Sequence, residues 1–268
     1  MTSIDLVVTD LDGTLWDADE RIHDRTLAAL RALDARRVPL LVATGRRPRS
    51  AAAGLARAGL QPPAVLLDGA LGRHLPDGRI FHTRALPPDR AAAVLEAFRS
   101  VGLEPCVYVE RGDVDVVIGD APSTSPAHLE MIAPWARRDD LDAVVASEPV
   151  FAMGVAGCDP EPLAAVAAAV GDAATAVPTR DVVLGGATLI VRPPGVSKWD
   201  GVLSFCADQG LDPDKVLAVG DGENDLELLR GARVACVVSD GCEPALALAD
   251  HVIDPASDGG WSAILDLV

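Results

Sequence analysis

Residues 4–14 read IDLVVTDLDGT, and the fold prediction starts here because the pattern of a buried strand runs straight into two acidic residues. Residues 4–9 are largely apolar, which is typical of a strand covered on both faces of a parallel sheet. Asp10 and Asp12 follow at once, and Gly13 is suited to a tight turn. These residues could form an ordinary polar turn. Functional residues in an open α/β sheet collect at the carboxyl ends of strands, so we expect a site here.

The residues after this stretch alternate between helix and strand patterns. The sequence predicts a helix at 23–37, a buried strand at 38–43, a helix at 47–58 and a strand at 64–67. The same rhythm returns after residue 186. This order predicts the α/β class, with a doubly wound, mostly parallel, Rossmann-like sheet.

The middle of the chain breaks this rhythm. Between 85 and 186 the pattern predicts helices mixed with short antiparallel strands, including a hairpin of 174–179 against 181–184. Just before it, Asp77-Gly78 predicts a tight turn. We therefore expect a core domain of residues 1–84 and 187–268 and an inserted α+β cap domain of residues 85–186.

Composition and charge argue against several kinds of partner. The 268 residues are 49% apolar and 24% charged, an ordinary balance for a globular protein. A net charge of -17 disfavours nonspecific binding to nucleic acid and docking to an anionic membrane. No secretory signal is visible, and no apolar run reaches the length of about 18 residues that a membrane helix needs. The five cysteines are scattered, so we expect neutral thiols in a reducing cytoplasm, with reactive or metal-binding thiols as the alternative.

Three further motifs stand where predicted strands end or a helix begins. The first, TGR at 44–46, supplies a hydroxyl, backbone amides and a cation, or else a helix start beside a surface arginine. The second is Lys198, one of only two lysines, which could also be an exposed helix residue. The third, GDGEND at 220–225, offers two carboxylates and an amide, or else a capped helix start.

Considered together, these motifs favour a metal site. Asp10, Asp12, Asp221 and Asp225 form an oxygen-rich set of the kind that suits Mg²⁺. The sequence has no cluster of histidines and cysteines for a softer metal. It also has no GxxxxGK[ST] loop of the kind that binds the phosphates of a nucleoside triphosphate.

The order and spacing of the motifs resemble those of the haloacid-dehalogenase superfamily, and specifically its Cof-like branch of phosphatases with a large α/β cap. The similarity covers essentially the whole chain, with the insertion between the second and third motifs. It implies a phosphoric monoester hydrolase that cleaves a small phosphorylated metabolite, with sugar phosphates as the leading class, through an aspartyl-phosphate intermediate. The alternatives are a phosphomutase acting on a phosphosugar and an idle binding protein, the latter disfavoured by the intact motifs. A monomer or homodimer is expected.

The resemblance implies that the acidic pair performs the chemistry. Asp10 would be the nucleophile and a metal ligand. Asp12 would donate a proton to the leaving alcohol and then activate water, while its backbone carbonyl binds Mg²⁺. An acid at this position favours hydrolysis of phosphate esters over halide displacement or C–P cleavage.

The resemblance also implies binding roles for the other motif residues. Asp221 would be a further metal ligand, and Asp225 would support the metal-bound waters or Lys198. The residues expected to hold the phosphoryl group are Thr44, Gly45, Lys198 and Asn224.

Two residues would face the substrate, Arg46 and Asp68. The branch usually has an Asn-Gly-Ala-like segment after the third strand, whereas residues 68–70 read DGA. An anionic Asp68 would repel additional phosphates or bind sugar hydroxyls. The alternative is a turn residue near the domain hinge.

Overall fold

The structure is a computed structural model that describes residues 4–76, 78–112, 114–181 and 184–268. The chain separates into two compact units, one formed by Met1–Thr83 and Ser197–Val268 and the other by Arg84–Val196. Asp77 of the predicted turn and residues 182–183 of the predicted hairpin lie outside the described residues. Within the described ranges, no helix has both the length and the apolar character needed to cross a membrane.

Strands and helices follow one another along the whole chain. The first unit opens with β1 (Leu6–Thr9), α1 (Asp24–Ala35), β2 (Leu40–Ala43), α2 (Pro48–Arg57), β3 (Pro63–Leu66), β4 (Leu71–His74) and β5 (Ile80–Thr83). The second unit contains α3 (Pro88–Ser100), β6 (Cys106–Tyr108), β7 (Val116–Ile118), α4 (Pro126–Ile132), β8 (Ala136–Arg138), α5 (Leu141–Ser147), β9 (Ala152–Cys158), α6 (Pro160–Val170), β10 (Thr175–Ala176), β11 (Thr179–Arg180) and β12 (Ala187–Arg192). The first unit resumes with α7 (Lys198–Gln209), β13 (Val216–Gly220), α8 (Leu226–Gly231), β14 (Val234–Val238), α9 (Glu243–Leu246) and β15 (His251–Ile253).

The first unit is built on one twisted sheet with the order β15-β14-β13-β1-β2-β3-β4-β5. The strands from β15 to β3 run parallel, and β4 and β5 are antiparallel additions. All residues of β1 and β13 are buried, as their continuous apolar runs predicted. The expected α/β class and the doubly wound, mostly parallel sheet are confirmed.

The winding of this sheet reverses beside β1. From β1 the chain builds outward through β2 and β3, and it later returns to the other side through β13, β14 and β15. Such a reversal leaves a crevice at the carboxyl ends of the strands. Asp10 follows β1 and Asp221 follows β13, and the backbone N–H of Asp10 donates to the carbonyl of Val219 at 2.9 Å. Two of the predicted site residues are therefore neighbours across the reversal.

The second unit has a sheet and an apolar core of its own. The sheet order is β10-β12-β9-β6-β7-β8, with β11 also paired to β12. A buried cluster of residues between Leu86 and Val191 forms the core. The expected return to the first unit at residue 187 is too early, because β12 pairs with β9, for instance Leu189 with Val155. An apolar strand pattern reports burial but does not identify the neighbouring strand, so the pattern alone does not show that residues 187–192 belong to the sheet of the second unit.

The predicted hairpin of 174–179 against 181–184 is also wrong. Thr175 pairs with Arg192 and Thr179 pairs with Thr188, so β10 and β11 keep a single antiparallel register along β12. Pro178 lies between β10 and β11 and has no N–H to donate, which interrupts the ladder there. The hairpin partners are therefore 175–180 and 187–192.

Candidate active site

Three carboxylates meet at the carboxyl ends of β1 and β13. Oxygen atoms of Asp10, Asp221 and Asp225 all lie within 4.8 Å of one another. The buried Thr14 hydroxyl donates to Oδ1 of Asp221 at 2.7 Å, which orients that carboxylate. Gly13 has a φ of 75°, and a Cβ there would lie 2.9 Å from Oδ2 of Asp221. Glycine is needed at this position both for its left-handed conformation and for the close approach.

Lys198 is the cation behind these carboxylates. Its Nζ donates to Oδ1 of Asp10 at 2.8 Å and to Oδ1 of Asp225 at 2.7 Å, and its side chain is fully buried. Burial by itself lowers the pKa of Lys198, but the charges of Asp10 and Asp225 outweigh this and raise the pKa above its ordinary value. Lys198 is therefore held as an ammonium ion.

The start of α7 places Lys198 through two local devices. Ser197 is the N-cap, and its backbone N–H donates to Oδ2 of Asp200 at 2.8 Å in a capping box. Gly69, in the loop after β3, has a φ of 110°, and a Cβ there would lie 2.0 Å from the carbonyl oxygen of Ser197. The loop and the helix start can approach this closely only because residue 69 is glycine.

Asp225 uses both of its oxygens within the protein. Oδ1 accepts from Lys198, and Oδ2 accepts the backbone N–H groups of Asp221 and Gly222 at 3.0 Å each. The side chain is completely buried. These contacts favour a supporting position for Asp225 and leave Asp10 and Asp221 as the carboxylates with an oxygen to offer a cation.

The charge balance of this cluster fits a divalent cation. Three carboxylates face one ammonium group. Burial, together with the negative charge of Asp225, raises the pKa of Asp221 to about 6 against the lowering effect of the Thr14 hydrogen bond. Burial also raises the pKa of Asp10 well above its usual range. A divalent cation would compensate the excess negative charge, and Mg²⁺ prefers oxygen ligands of this type.

Asp12 lies at the rim of the cluster, held by Arg46. Nε of Arg46 donates to Oδ2 of Asp12 at 2.7 Å, and Nη2 donates to Oδ1 at 2.5 Å. The indole N–H of Trp16 donates to the same Oδ1 at 3.0 Å. Burial raises the pKa of Asp12, but the hydrogen bonds and charge of Arg46 outweigh it and hold the pKa below its ordinary value. In this structure Asp12 is therefore an ionised carboxylate whose two oxygens are both bound by Arg46.

Arg46 is itself fixed from two further sides. Its Nη1 forms an ion pair with Glu20, which also pairs with Arg57. Its guanidinium carbon lies 4.8 Å from the centre of the Trp16 ring. Neither Glu20 nor Trp16 was singled out from the sequence, and neither was Thr14. Thr14 could have been found from its place in the acidic stretch, but nothing in the local pattern marks Glu20.

The ends of β2, β3 and β13 are linked by a second set of contacts. The backbone N–H of Asp68 donates to the carbonyl of Thr44 at 3.1 Å. Oδ1 of Asp68 accepts from the Asn224 amide at 2.8 Å. Asp68 has a φ of 51°, a left-handed conformation that aspartate tolerates better than most residues. Asp68 is therefore a turn residue and also forms a hydrogen bond with Asn224, one of the predicted site residues.

A cavity of about 270 Å³ opens over these groups. Its lining consists of Asp10, Asp12, Thr44, Gly45, Arg46, Asp221, Gly222 and Asn224. Lys198 is not part of this lining but lies behind Asp10. Asp225 and Asp68 also lie outside the lining, where Asp225 accepts a hydrogen bond from Lys198 and Asp68 accepts one from Asn224. The predicted site residues are thus brought together in the first unit.

Two larger cavities lie away from the carboxylate cluster. One of about 610 Å³ belongs to the second unit, beside Ser123 and Cys158. The other, of about 410 Å³, lies against α1 and is lined mostly by apolar residues such as Leu27 and Leu30. The clustered titratable groups, rather than cavity size, mark the smallest of the three as the candidate active site.

Comparison with known proteins supplies an independent view of the chain. Residues 7–265 match the family of haloacid dehalogenase-like hydrolases. A phosphoglycolate phosphatase of Methanopyrus kandleri is 28% identical, over 99% of this chain and 96% of that protein. The crystal structure of TM0651 from Thermotoga maritima has a TM-score of 0.82 at 18% identity, covering 99% of this chain and 97% of the other. A subclass IIB sugar phosphatase has a TM-score of 0.77 at 20% identity, with 98% of each chain covered. At these identities the two structures show a shared fold.

Proposed function

The chain belongs to the haloacid dehalogenase-like hydrolase family and is a phosphatase of that family, and we propose that it hydrolyses a small phosphate monoester with Mg²⁺ through an aspartyl-phosphate intermediate. One observation carries this proposal. Asp10 faces the cavity, with Asp221 beside it and the ammonium group of Lys198 2.8 Å behind it. This arrangement supports a carboxylate nucleophile in a site that concentrates positive charge on a phosphoryl group.

In the first step, an oxygen of Asp10 attacks phosphorus and the bond from phosphorus to the leaving alcohol breaks. The contacts with Arg46 keep Asp12 ionised, so Asp12 must leave Arg46 and take up a proton from solvent before it acts. It then gives this proton to the leaving oxygen, so the alcohol departs neutral. The phosphoryl group is then bound covalently to Asp10, and Asp12 is left as a carboxylate.

In the second step, water attacks the phosphorus of the acyl phosphate. Asp12 accepts a proton from this water, and the bond between phosphorus and the Asp10 oxygen breaks. Inorganic phosphate leaves, and both aspartates return to their initial states. The two roles of Asp12 require it to lie at the cavity rim, as it does.

The residues that would hold Mg²⁺ are Asp10, Asp221 and the backbone carbonyl of Asp12. When bound, the ion supplies positive charge to the phosphoryl oxygens. Thr14 and Asp225 orient the ligands through the hydrogen bonds described above. Lys198 balances the charge of Asp10, and we propose that with Thr44, Gly45 and Asn224 it stabilises the transferring group.

For the substrate, we propose a small phosphorylated metabolite such as a sugar phosphate. One relative is named a phosphoglycolate phosphatase and one structural neighbour a sugar phosphatase, and both names denote small phosphate monoesters. A cavity of about 270 Å³ agrees with a compact ligand. All five cysteines lie in the described part of the chain as free thiols, which agrees with the reducing cytoplasm proposed as the location.

Phosphate release by the purified full chain tests this function. The panel contains p-nitrophenyl phosphate, phosphoglycolate and hexose phosphates, each with Mg²⁺, with EDTA, and with Mg²⁺ restored in excess over EDTA. We expect free phosphate only when Mg²⁺ is available. Full turnover in EDTA would contradict the metal requirement, and an isomerised phosphosugar without free phosphate would identify a mutase.

A further inference from the structure

We propose that Arg46 determines specificity by exchanging Asp12 for a carboxylate on the leaving alcohol of the substrate. The inference rests on the proposed function, since it takes Asp12 to be the group that serves the leaving oxygen. It narrows the substrate to a phosphorylated hydroxy acid whose carboxylate lies one or two carbon atoms from the ester oxygen.

Both oxygens of the Asp12 carboxylate accept hydrogen bonds from within the protein. Oδ2 accepts from Nε of Arg46 at 2.7 Å, and Oδ1 accepts from Nη2 at 2.5 Å and from the Trp16 indole at 3.0 Å. A group that exchanges a proton with a leaving alcohol must be able to form a hydrogen bond with that alcohol. The Asp12 side chain is 51% exposed, and in the proposed exchange its bidentate contact with Arg46 opens as Asp12 turns to the leaving oxygen.

Once that contact opens, the Arg46 guanidinium is still held beside the cavity by its other contacts. The Arg46 side chain is 21% exposed, its Nη1 is paired with Glu20, and the Trp16 ring lies against it. These contacts hold the guanidinium at the cavity instead of letting it turn into solvent. Its Nε and Nη2 then present a planar pair of donors, the geometry that a carboxylate fills with two parallel hydrogen bonds.

The substrate group that replaces Asp12 on Arg46 is constrained in both its location and its charge. An anion that takes the place of Asp12 on Arg46 must lie beside the leaving oxygen that Asp12 serves, which restricts it to a nearby carbon of the alcohol. Asp10, Asp12 and Asp221 make the described lining acidic, and Arg46 is the cation in it. Without this partner, a substrate carboxylate beside the leaving oxygen would have no cationic side chain of the described lining to pair with.

The test compares two esters of the same two-carbon frame, phosphoglycolate and ethyl phosphate, using the full chain with Mg²⁺. The ratio of their kcat/KM values is the readout. Intrinsic differences between the two leaving alcohols are the same for every variant, so a change in the ratio reports the carboxylate contact. We expect Arg46→Gln to lower the ratio about 10- to 100-fold, the range for losing a charge-assisted hydrogen bond. Arg46→Lys keeps the positive charge but lacks the planar pair of donors, so its ratio should lie between those of the wild type and Arg46→Gln.

The matched control is Arg57→Gln. Arg57 is paired with Glu20 and has a 58% exposed side chain, so its removal deletes one positive charge from the same network. We expect this variant to keep the wild-type ratio within about twofold, in line with the small effect of exposed pairs. An equal loss on both esters in Arg46→Gln would overturn the inference, because Arg46 would then act only through Asp12.

Two further measurements keep the result interpretable. The two hypotheses fail in different ways: release of phosphate from none of phosphoglycolate, ethyl phosphate and p-nitrophenyl phosphate by the wild type would refute the proposed mechanism, whereas turnover with an unchanged ratio in Arg46→Gln refutes only the role of Arg46. If circular dichroism shows that both Arg46 variants are unfolded, inhibition of the wild type decides. 3-Phosphonopropionate should then inhibit at least about tenfold more strongly than propylphosphonate, which lacks the carboxylate. Equal inhibition would overturn the inference.

Discussion

Nζ of Lys198 lies 2.7 Å from Oδ1 of Asp225, and both side chains are completely inaccessible to solvent. The same ammonium group donates to Asp10 at 2.8 Å. Removing one member of a buried ion pair leaves an uncompensated charge, which costs far more than losing an exposed pair. We therefore expect Lys198 to stabilise the site in addition to serving the proposed chemistry.

Replacing Lys198 with methionine should destabilise the protein, because Asp10 and Asp225 would remain buried without their cation. We expect the free energy of unfolding to fall by about 3–5 kcal/mol, measured by urea denaturation. The double variant Lys198→Met/Asp225→Asn should recover part of this loss. The control is Lys215→Met, since Lys215 is 33% exposed and 3.1 Å from Asp5, and its loss should cost less than about 1 kcal/mol. Equal losses for the two lysines would contradict the prediction.

Replacing the two aspartates separately should distinguish the nucleophile from the acid and base. Asp10→Asn removes the attacking oxygen and should abolish phosphoenzyme formation. Asp12→Asn keeps the nucleophile, so an ester with a good leaving group should still phosphorylate the enzyme, while dephosphorylation slows by about 10²–10⁴-fold. Mass spectrometry of acid-quenched samples and p-nitrophenol release measure these steps. Near-normal rates in Asp10→Asn would refute the nucleophile assignment.

The stability of the metal-free protein should depend on pH through Asp221. Its pKa is raised to about 6 from 3.8, so the folded state holds this proton more tightly than the unfolded state. The resulting stabilisation is complete below about pH 4 and is lost as the pH rises through about 6. In EDTA, the wild type should therefore lose more thermal stability than Asp221→Asn between pH 4 and pH 7. Parallel melting curves for the two proteins would show that Asp221 does not contribute.

The boundary of the second unit can be tested with isolated fragments. A fragment of residues 84–196 contains β12, which pairs with β9, β10 and β11. We expect it to unfold cooperatively in urea, with tertiary circular dichroism. A fragment ending at residue 186 lacks β12 and exposes part of the buried core, so it should lack a cooperative transition. Identical behaviour of the two fragments would contradict the role assigned to β12.

The class of the fold and the positions of the acidic motifs follow from local patterns in the sequence. The apolar run before Asp10 and the repeated alternation of helix and strand are local patterns, and burial on both faces of a parallel sheet requires them. The carboxylates after β1 and β13 could be expected to meet because parallel strands of one sheet end at the same edge. For this reason Asp10 and Asp221 could be selected before their contacts were known, whereas Lys198 was marked by the scarcity of lysine and by the family resemblance.

The identity of the interacting partners, in contrast, depends on how segments distant in the sequence pack together. Residues 187–192 show a strand pattern that fits either sheet, and pairing with β9 places them in the second unit. The clamp between Arg46 and Asp12 joins residues 34 positions apart, and Glu20 has no local pattern to mark it. The physical reason is that periodicity records whether a residue is buried, whereas hydrogen bonds and ion pairs depend on distances that arise only when separate segments pack together.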